Sequence, residues 1–438
     1  MKKIFSIINI CLLFSIVSKS QETIYPAKEA KGITFIKNGT VHIGNGQVLQ
    51  NATIKINNGK IESVGTNISI PADNVKVIDA TGKQVYPGLI LPSSQLGIQE
   101  IGGNAVRGSN DFQELGDLNP NIRSIAAYNA DSKVPNTLRA NGILLAQTVP
   151  IGSLLAGTSS TVQLDAWNFE DAVYAADNGM HFYMPSLLPR VSGRFAFFFA
   201  QQQQGDAVKE GMDKIEKVRN FFREAKAYLQ NTGSKETNLK LEAAKNLFNK
   251  KQKLFIHCDE VKQMLIAIDF VKEFGFDVVI AGGSDSWQIA NLLKQNNISV
   301  VLSQEHSLPT LDDDDVDQPY KTPAALQKAG VLFCLNDDDG QNRGRNLPFN
   351  AGTAVTYGLT KEEALTAITL NTAKILGIAD RTGSIEAGKD ANIVISEGDI
   401  LDMRTSVVTM ALIQGRQINL DNKHKQLFER YKHKYDIK

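Results

Sequence analysis

The sequence predicts an α/β protein built on a (β/α)8 TIM barrel, with a β-rich domain beside it. Three observations lead to this fold class. Short β-type runs separated by Asn-Gly turns occupy the N-terminal part, strand-like and helix-like stretches then alternate, and β-type runs return near the C-terminus. A chain of 438 residues is long enough for one large barrel and an accessory domain.

The first 20 residues have the pattern of a secretory signal peptide. Lys2 and Lys3 precede an apolar run over 4–17, and small polar residues follow up to Ser20, after which we expect cleavage. The apolar run is too short for a membrane span, which needs roughly 20 residues. We therefore expect an exported bacterial protein, periplasmic or secreted, with no membrane contact after the signal is removed.

Composition excludes some classes of partner and scaffold. Lys plus Arg equal Asp plus Glu at 47 each, which gives no support for binding nucleic acid. After the signal, the chain keeps only Cys258 and Cys334, both in apolar strand-like runs. We expect two buried free thiols and no disulfide scaffold.

The N-terminal part reads as a small sandwich of short strands. Asn-Gly pairs at 38–39, 45–46 and 58–59 supply its turns. Near the other end, a turn-rich stretch runs into a buried strand over 383–395, and more β-type residues follow at 407–413 and 417–418. The predicted N-terminal strands lie at 33–36, 40–43, 52–56, 61–64 and 75–78.

The middle of the chain alternates between the two element types, as a parallel α/β barrel requires. Residues 192–251 interrupt the alternation, and we expect either an insertion over the barrel rim or two ordinary outer helices. The predicted strands are 143–149, 253–258, 278–281, 298–303 and 331–335, and the predicted helices are 261–274, 286–295, 322–329 and 361–376.

One motif carries a family resemblance. The stretch VYPGLILPSSQLG at 85–97 resembles the first barrel strand of the amidohydrolase superfamily, and imidazolonepropionase-like and related exported amidohydrolases look closest. KLFIHCD at 253–259 and the 383–395 segment also resemble that family. The resemblance implies a composite β-sandwich formed by 21–90 and 383–420, a metal-dependent-hydrolase type barrel over 91–382, and a basic tail over 421–438.

The same resemblance implies a metal site with ligands missing. The family's His-x-His pair is replaced here by Ser93 and Gln95, and the glycine pair at 282–283 stands where the family has a further histidine. His257 is in register for the histidine of the fifth strand. Asp337 and Asp338 are equally good equivalents of the aspartate that the family places on its eighth strand. These three residues are the candidate catalytic and metal-binding groups.

Three further residues are candidates for substrate binding. Arg343 and Arg345 follow the acidic strand end, where a guanidinium could hold a carboxylate or phosphate. Trp167 could supply an aromatic wall near the small-residue loop at 152–160. His181 reads as part of a Gly-Met-His turn and is not a candidate ligand.

The activity that the family resemblance implies differs from the one that the available metal ligands support. The family implies hydrolysis of a non-peptide C–N bond in a cyclic amide or similar small molecule. A catalytic zinc normally takes three protein ligands, whereas this chain offers His257 and one aspartate. The residues require no cofactor and imply at most one weakly bound divalent metal such as zinc. The alternative is a catalytically silent relative that binds a small ligand or pairs, as a homo- or hetero-oligomer, with another amidohydrolase subunit.

Overall fold

A computed structural model describes residues 25–100, 110–187, 207–231, 236–303, 305–311, 313–337 and 343–437. Their strands form two sheets of eight strands each. The predicted signal peptide, residues 1–20, lies outside the described residues, as do Asp338 and parts of the predicted insertion. None of the described helices is both long and apolar enough to cross a membrane.

The first sheet joins strands from both ends of the chain. Its order is β16-β15-β14-β5-β1-β2-β3, and β4 pairs with the other part of β1. The two ends meet where β5 and β14 pair antiparallel, with Val85 opposite Ile395. The strands are β1 (Ile33–His42), β2 (Val48–Asn57), β3 (Lys60–Gly65), β4 (Val75–Asp79), β5 (Gln84–Pro87), β14 (Ile393–Ser396), β15 (Val408–Ile413) and β16 (Arg416–Gln417).

One predicted turn in this sheet is wrong. Asn38 and Gly39 lie inside β1, which continues as one strand through an irregularity in its pairing with β2. Asn38 does adopt the positive φ that Asn-Gly favours, at 63°, so the local conformation follows the residue type while the chain direction does not reverse. At Asn58 and Gly59 the same pair does form the tight turn between β2 and β3.

The Pro87-Gly88 pair separates the two sheets. β5 ends at Pro87 in the first sheet, and β6 (Leu89–Ser94) begins the second. A side chain on Gly88 would meet the side chain of Leu144 at 2.6 Å, so the backbone of the junction packs directly on the neighbouring strand.

The second sheet is the barrel. It runs in the order β13-β12-β11-β10-β9-β8-β7-β6, and the amide N–H of Ser93 on β6 donates to the Asn336 side chain just after β13 at 3.2 Å, which links its two ends. Its strands after β6 are β7 (Ile143–Thr148), β8 (Leu155–Gln163), β9 (Val173–Tyr183), β10 (Lys253–Cys258), β11 (Val278–Gly282), β12 (Ser299–Leu302) and β13 (Phe333–Leu335).

One barrel strand runs against the others. Every neighbouring pair in this sheet is parallel except β7–β8 and β8–β9. The residues at 155–160, which the sequence predicted to be part of a loop, belong to β8. Because β8 is antiparallel, whatever follows its last residue lies at the end of the barrel where the parallel strands begin. There Leu164 N donates to Leu144 O at 3.0 Å.

The helices pack around the barrel. They are α1 (Val134–Arg139), α2 (Phe169–Ala172), α3 (Ala207–Gln230), α4 (Leu239–Ala243), α5 (Lys245–Phe248), α6 (Val261–Phe274), α7 (Ala290–Gln295), α8 (Gln318–Ala329), α9 (Leu347–Thr356), α10 (Lys361–Ala367), α11 (Leu370–Leu376) and α12 (Lys423–Lys434). The predicted helices at 286–295 and 361–376 are each divided. The first begins as the 3-10 turn Ser286–Ile289, and the second breaks between α10 and α11.

Helix α6 shows why the sequence folds this way next to β10. Glu260 and Gln263 form a reciprocal capping box at its start, and Gly275 ends it with φ 71°. Its buried face includes Met264 and Phe270. The described part of the predicted insertion packs here too, because Phe222 on α3 contacts Phe270 edge-on at 6.2 Å, as an outer barrel helix would.

The barrel interior is apolar at one end. Side chains alternate along each strand, so Leu254 and Ile256 face the helices while Phe255 faces the interior. The interior cluster consists mainly of Ile90, Leu145, Phe255, Val279, Val301 and Cys334, with residues of α11 and the following turn. Cys258 and Cys334 are buried and unpaired.

Candidate site at the barrel mouth

A cavity of about 740 Å³ opens at the ends of the parallel barrel strands, where barrel enzymes carry their chemistry. His257 lies on its wall at the end of β10. Neutral polar groups from other strand ends share the wall. They include Ser93 near the end of β6, Ser303 after β12 and Asn336 after β13.

His257 reaches this cavity through strand alternation. It follows Phe255 on the inward side of β10 and stands opposite Ala281 of β11 in the parallel register. The ring of Tyr183, from the end of β9, stacks on the imidazole with 3.9 Å between ring centroids and 11° between ring planes. Stacking on Tyr183 of the neighbouring strand β9 therefore holds the imidazole of His257 in one orientation.

A second histidine, which sequence reasoning missed, contacts His257. His181 lies on β9, not on a turn, and is 1% exposed. Its Nδ1 is 2.8 Å from Nε2 of His257, and its Nε2 is 2.7 Å from the hydroxyl of Ser159 on β8. The signal that could have found it is the alternation of Met180 and Phe182 with His181, which is a strand pattern.

Both imidazoles are neutral at ordinary pH. Burial lowers the pKa of His257 to about 3. Burial and, secondarily, the neighbouring His257 lower the pKa of His181 well below its usual value. A neutral imidazole carries one N–H and one acceptor nitrogen, so the pair can share a hydrogen bond.

The end of β13 presents an amide to the cavity. Cys334 faces the barrel interior, Leu335 faces the helices, and Asn336 faces the mouth. The next residue, Asp337, is buried, and one of its carboxylate oxygens accepts a hydrogen bond from Asn350 of α9 at 3.3 Å. The structure therefore places Asp337 against a helix, while Asp338 lies outside the described residues.

The end of β11 has no room for a histidine at Gly282. Its φ is 103°, which L side chains rarely adopt. A Cβ there would lie 2.7 Å from a carboxylate oxygen of Asp259 and 2.9 Å from the carbonyl oxygen of Cys258. Asp259 is fixed in that place because it accepts a hydrogen bond from the Ser284 hydroxyl at 2.9 Å.

The two carboxylates among the described residues that line the cavity, Asp259 and Glu260, already have partners. Asp259 is bonded to Ser284, as described above. Glu260 accepts hydrogen bonds from the hydroxyl of Ser186 and, at 3.2 Å, from the amide of Leu187. Glu260 also serves as the N-cap of α6, so its carboxylate has a structural function at the start of that helix.

The donor set does not fit a catalytic zinc. Within the described ranges, no three His, Cys, Asp or Glu side chains come together in a way that could hold a metal ion. His257 uses Nε2 to contact His181, and the ends of β6 and β13 supply a hydroxyl from Ser93 and an amide from Asn336. Zinc is normally held by imidazole, thiolate or carboxylate groups, three of them in a catalytic site.

The structure separates the substrate-binding candidates from the mouth. Trp167 follows β8 and therefore lies at the opposite end of the barrel, 60% exposed and near Tyr25. Arg343 and Arg345 lie on the 3-10 turn Arg343–Asn346 before α9 and are not among the described residues that line the mouth cavity. Gln95 is likewise not among them, although Ser93 is.

Comparison with known proteins gives consistent matches. Residues 152–418 match the model of the Amidohydrolase family. An imidazolonepropionase of Thermoplasma volcanium is 25% identical over 366 residues, which is 80% of this chain and 85% of that protein. An imidazolonepropionase of Phocaeicola vulgatus is 39% identical over 106 residues, 24% of each chain.

Solved structures extend the match to the whole fold. An amidohydrolase from Thermotoga maritima superposes with a TM-score of 0.75 at 27% identity, covering 88% of this chain and 99% of that one. Molinate hydrolase superposes with a TM-score of 0.55 at 17% identity, covering 90% and 96%, and supports the fold alone.

Proposed function

Since the chain belongs to the amidohydrolase family, we propose that its barrel mouth binds a small molecule with an amide or cyclic amide group without the zinc-activated water of a metal-dependent hydrolase. One observation carries this proposal. His257, in register for the family's fifth-strand ligand, is hydrogen-bonded through Nε2 to His181, and Asn336 provides an amide at the strand end where the family has a carboxylate.

The lining of the cavity favours a neutral polar ligand. Ser93, Ser303, Asn336 and neutral His257 offer hydrogen-bond donors and acceptors without net charge. The carboxylates of Asp259 and Glu260 are occupied by bonds to the surrounding loops. A charged ligand would find no free opposite charge among these six described residues, whereas an amide can pair with hydroxyl, amide and imidazole groups.

Hydrolysis of a non-peptide C–N bond is the second candidate function. It is favoured by the match to imidazolonepropionases and by His257, which keeps its place at the mouth. Against it stands the low pKa of His257, because a group that protonates near pH 3 is a weak general base at neutral pH. In this second proposal the residues provide either direct base catalysis or a weakly held metal.

Export, partners and assembly complete the proposal. The sequence pattern of residues 1–20 supports a periplasmic or secreted protein. A silent relative would act through a small-molecule ligand or as one subunit of an oligomer with another amidohydrolase. We propose no nucleic acid partner, in line with the balanced charge.

A binding and turnover panel tests the function. Purified mature protein would be titrated calorimetrically with a series of lactams, hydantoins and linear amides, and each compound would be incubated with and without added zinc. We expect binding without hydrolysis, weakened about tenfold or more in His257→Ala because a buried hydrogen-bonding group is lost. His306→Ala is the matched control, since His306 is exposed, contacts Thr353 and is not among the described residues that line the cavity.

Two results would overturn the binding proposal. One is unchanged affinity in His257→Ala for every compound that the native protein binds. The other is turnover that His257→Ala abolishes and His306→Ala preserves, which would establish the hydrolase instead.

A further inference from the structure

We propose that Ser159 and His181 are positioning residues that fix the tautomer of His257, so that its Nδ1 is unprotonated and accepts a hydrogen bond from an N–H group of the ligand. This inference rests on the proposed function, since it names the chemical group by which the mouth would recognise a small amide. It also gives a physical role to the contact between His181 and His257, which lies in a barrel that lacks the usual metal ligands.

The geometry is a chain of three contacts, of which two are short and the one to Gly179 is long. Gly179 O lies 3.4 Å from the Ser159 hydroxyl, which lies 2.7 Å from Nε2 of His181. Nδ1 of His181 then lies 2.8 Å from Nε2 of His257. Ser159 has no exposed surface and His181 is 1% exposed, so water does not compete for these groups.

Proton counting gives the direction of the chain once the Ser159 proton is assigned to the longer contact with Gly179 O. A carbonyl oxygen can only accept, so the contact with Gly179 is a hydrogen bond only if the Ser159 hydroxyl donates to it. The Ser159 oxygen then accepts from an N–H at Nε2 of His181. Nδ1 of His181 is consequently the acceptor, and the proton between the two histidines belongs to Nε2 of His257.

The remaining nitrogen faces the ligand. Because each imidazole is neutral and carries one proton, Nδ1 of His257 has none. It has no hydrogen-bond partner among the described residues, and His257 lines the cavity. The Tyr183 ring covers one face of the imidazole, so a ligand reaches its edge. A lactam or imide N–H satisfies this acceptor, whereas an N-alkylated analogue cannot.

Nuclear magnetic resonance tests the tautomers without any ligand. Histidine-labelled mature protein would be studied by two-bond 15N–1H correlation, which distinguishes a proton on Nε2 from one on Nδ1. We expect Nε2–H at both His181 and His257, and a new Nδ1–H population at His257 in Ser159→Ala. Ser160→Ala is the control, since Ser160 is equally buried but its hydroxyl accepts from Asp177 N.

Two outcomes would overturn the tautomer assignment. They are Nδ1–H at His257 in the native protein, and an unchanged His257 spectrum in Ser159→Ala. If Ser159→Ala does not fold, His181→Phe replaces it, because the ring would keep the stacking on Phe255 at 5.0 Å while removing both nitrogens. The expected result is again a mixed His257 tautomer, and an unmixed one contradicts the proposal.

A pair of lactams tests the recognised group. We expect 2-pyrrolidinone to shift the Nδ1 resonance of His257 and N-methyl-2-pyrrolidinone to bind about tenfold more weakly, the equivalent of one hydrogen bond. Equal binding of both would overturn N–H recognition. If neither shifts Nδ1 while the tautomers are as stated, the ligand class in the proposed function is wrong and the positioning role of Ser159 is supported.

Discussion

At the scale of single residues, Gly282 accounts for much of the altered site. Its φ of 103° and the Asp259 oxygen 2.7 Å from a would-be Cβ exclude any side chain. The sequence predicted a missing imidazole at this glycine pair but could not show why a histidine would not fit. The reason lies in a contact with Asp259, which belongs to the end of another strand.

A substitution at Gly282 measures how strongly a side chain is excluded from this position. Gly282→Ala should destabilise the protein by about 2–4 kcal/mol, because backbone strain of about 1–2 kcal/mol adds to overpacking of about 1–3 kcal/mol. Gly275→Ala is the matched control, since Gly275 has φ 71° and open space around its Cβ, so it reports strain alone. Urea denaturation of both variants would compare the free energies of unfolding. Equal losses would contradict the role given to Asp259.

Residue identity could predict His257 but not which acidic neighbour faces the mouth. Asp337 and Asp338 stood as equals in the sequence because no pattern fixes the phase of a strand that is three residues long. The structure fixes the phase by alternation from Cys334, and the mouth receives Asn336. His181 was missed because the Gly-Met-His sequence at 179–181 reads locally as a turn, although Gly179 lies inside β9.

At the scale of elements, the antiparallel direction of strand β8 determines at which end of the barrel several residues lie. Strand β10 and helix α6 followed from apolar periodicity and caps. The antiparallel direction of β8 could not be predicted in this way, because the apolar periodicity of a strand does not show which way the strand runs in the sheet. Trp167, predicted at the mouth, lies at the other end of the barrel for this reason.

The contact between β1 and α10 predicts a pH dependence. His42 lies 2.6 Å from Glu362, and although burial alone would lower the pKa of His42, the bonds to Glu362 and Gln84 raise it above 6.5. The contact between His42 and Glu362 therefore contributes its full stabilisation below pH 6.5. This stabilisation is lost as the pH rises through the pKa of His42 in the folded protein. The buried His181 and the half-buried His257 act in the opposite window, because their lowered pKa values reduce stability as pH falls below 6.5.

Stability measured from pH 6 to 9 should fall as the pH rises above 6.5, because the pKa of His42 is raised in the folded protein. Glu362→Gln should flatten this slope because it removes the charge that favours protonated His42. Thermal unfolding at closely spaced pH values would measure it. A slope of the same size in Glu362→Gln would contradict the assignment.

At the scale of the whole molecule, a buried charge cluster ties the ends of the chain to the barrel. Asp165, after β8, accepts hydrogen bonds from Arg139 of α1 at 2.5 Å and from the amide of Ala27 at 2.9 Å. Arg416 of β16 contacts the same carboxylate at 3.4 Å. Both guanidinium groups are largely buried, so this carboxylate balances charge that water cannot screen.

Asp165→Asn should destabilise the protein by about 3–5 kcal/mol, because two buried cations lose their counter-charge. The control is Asp177→Asn, which breaks the more exposed pair with Arg123 and should cost less than about 1 kcal/mol. Chemical denaturation would give both values. A loss below 1 kcal/mol in Asp165→Asn would show that the cluster does not hold the ends of the chain.

Metal stoichiometry is the direct test of the donor set at the barrel mouth. Mature protein would be incubated with excess zinc, desalted, and measured by inductively coupled plasma mass spectrometry beside His257→Ala. The account predicts well below one zinc per chain and no difference between the two proteins, because the described residues supply fewer than the three ligands that a catalytic zinc takes. One tightly bound zinc per chain, lost in His257→Ala, would contradict it.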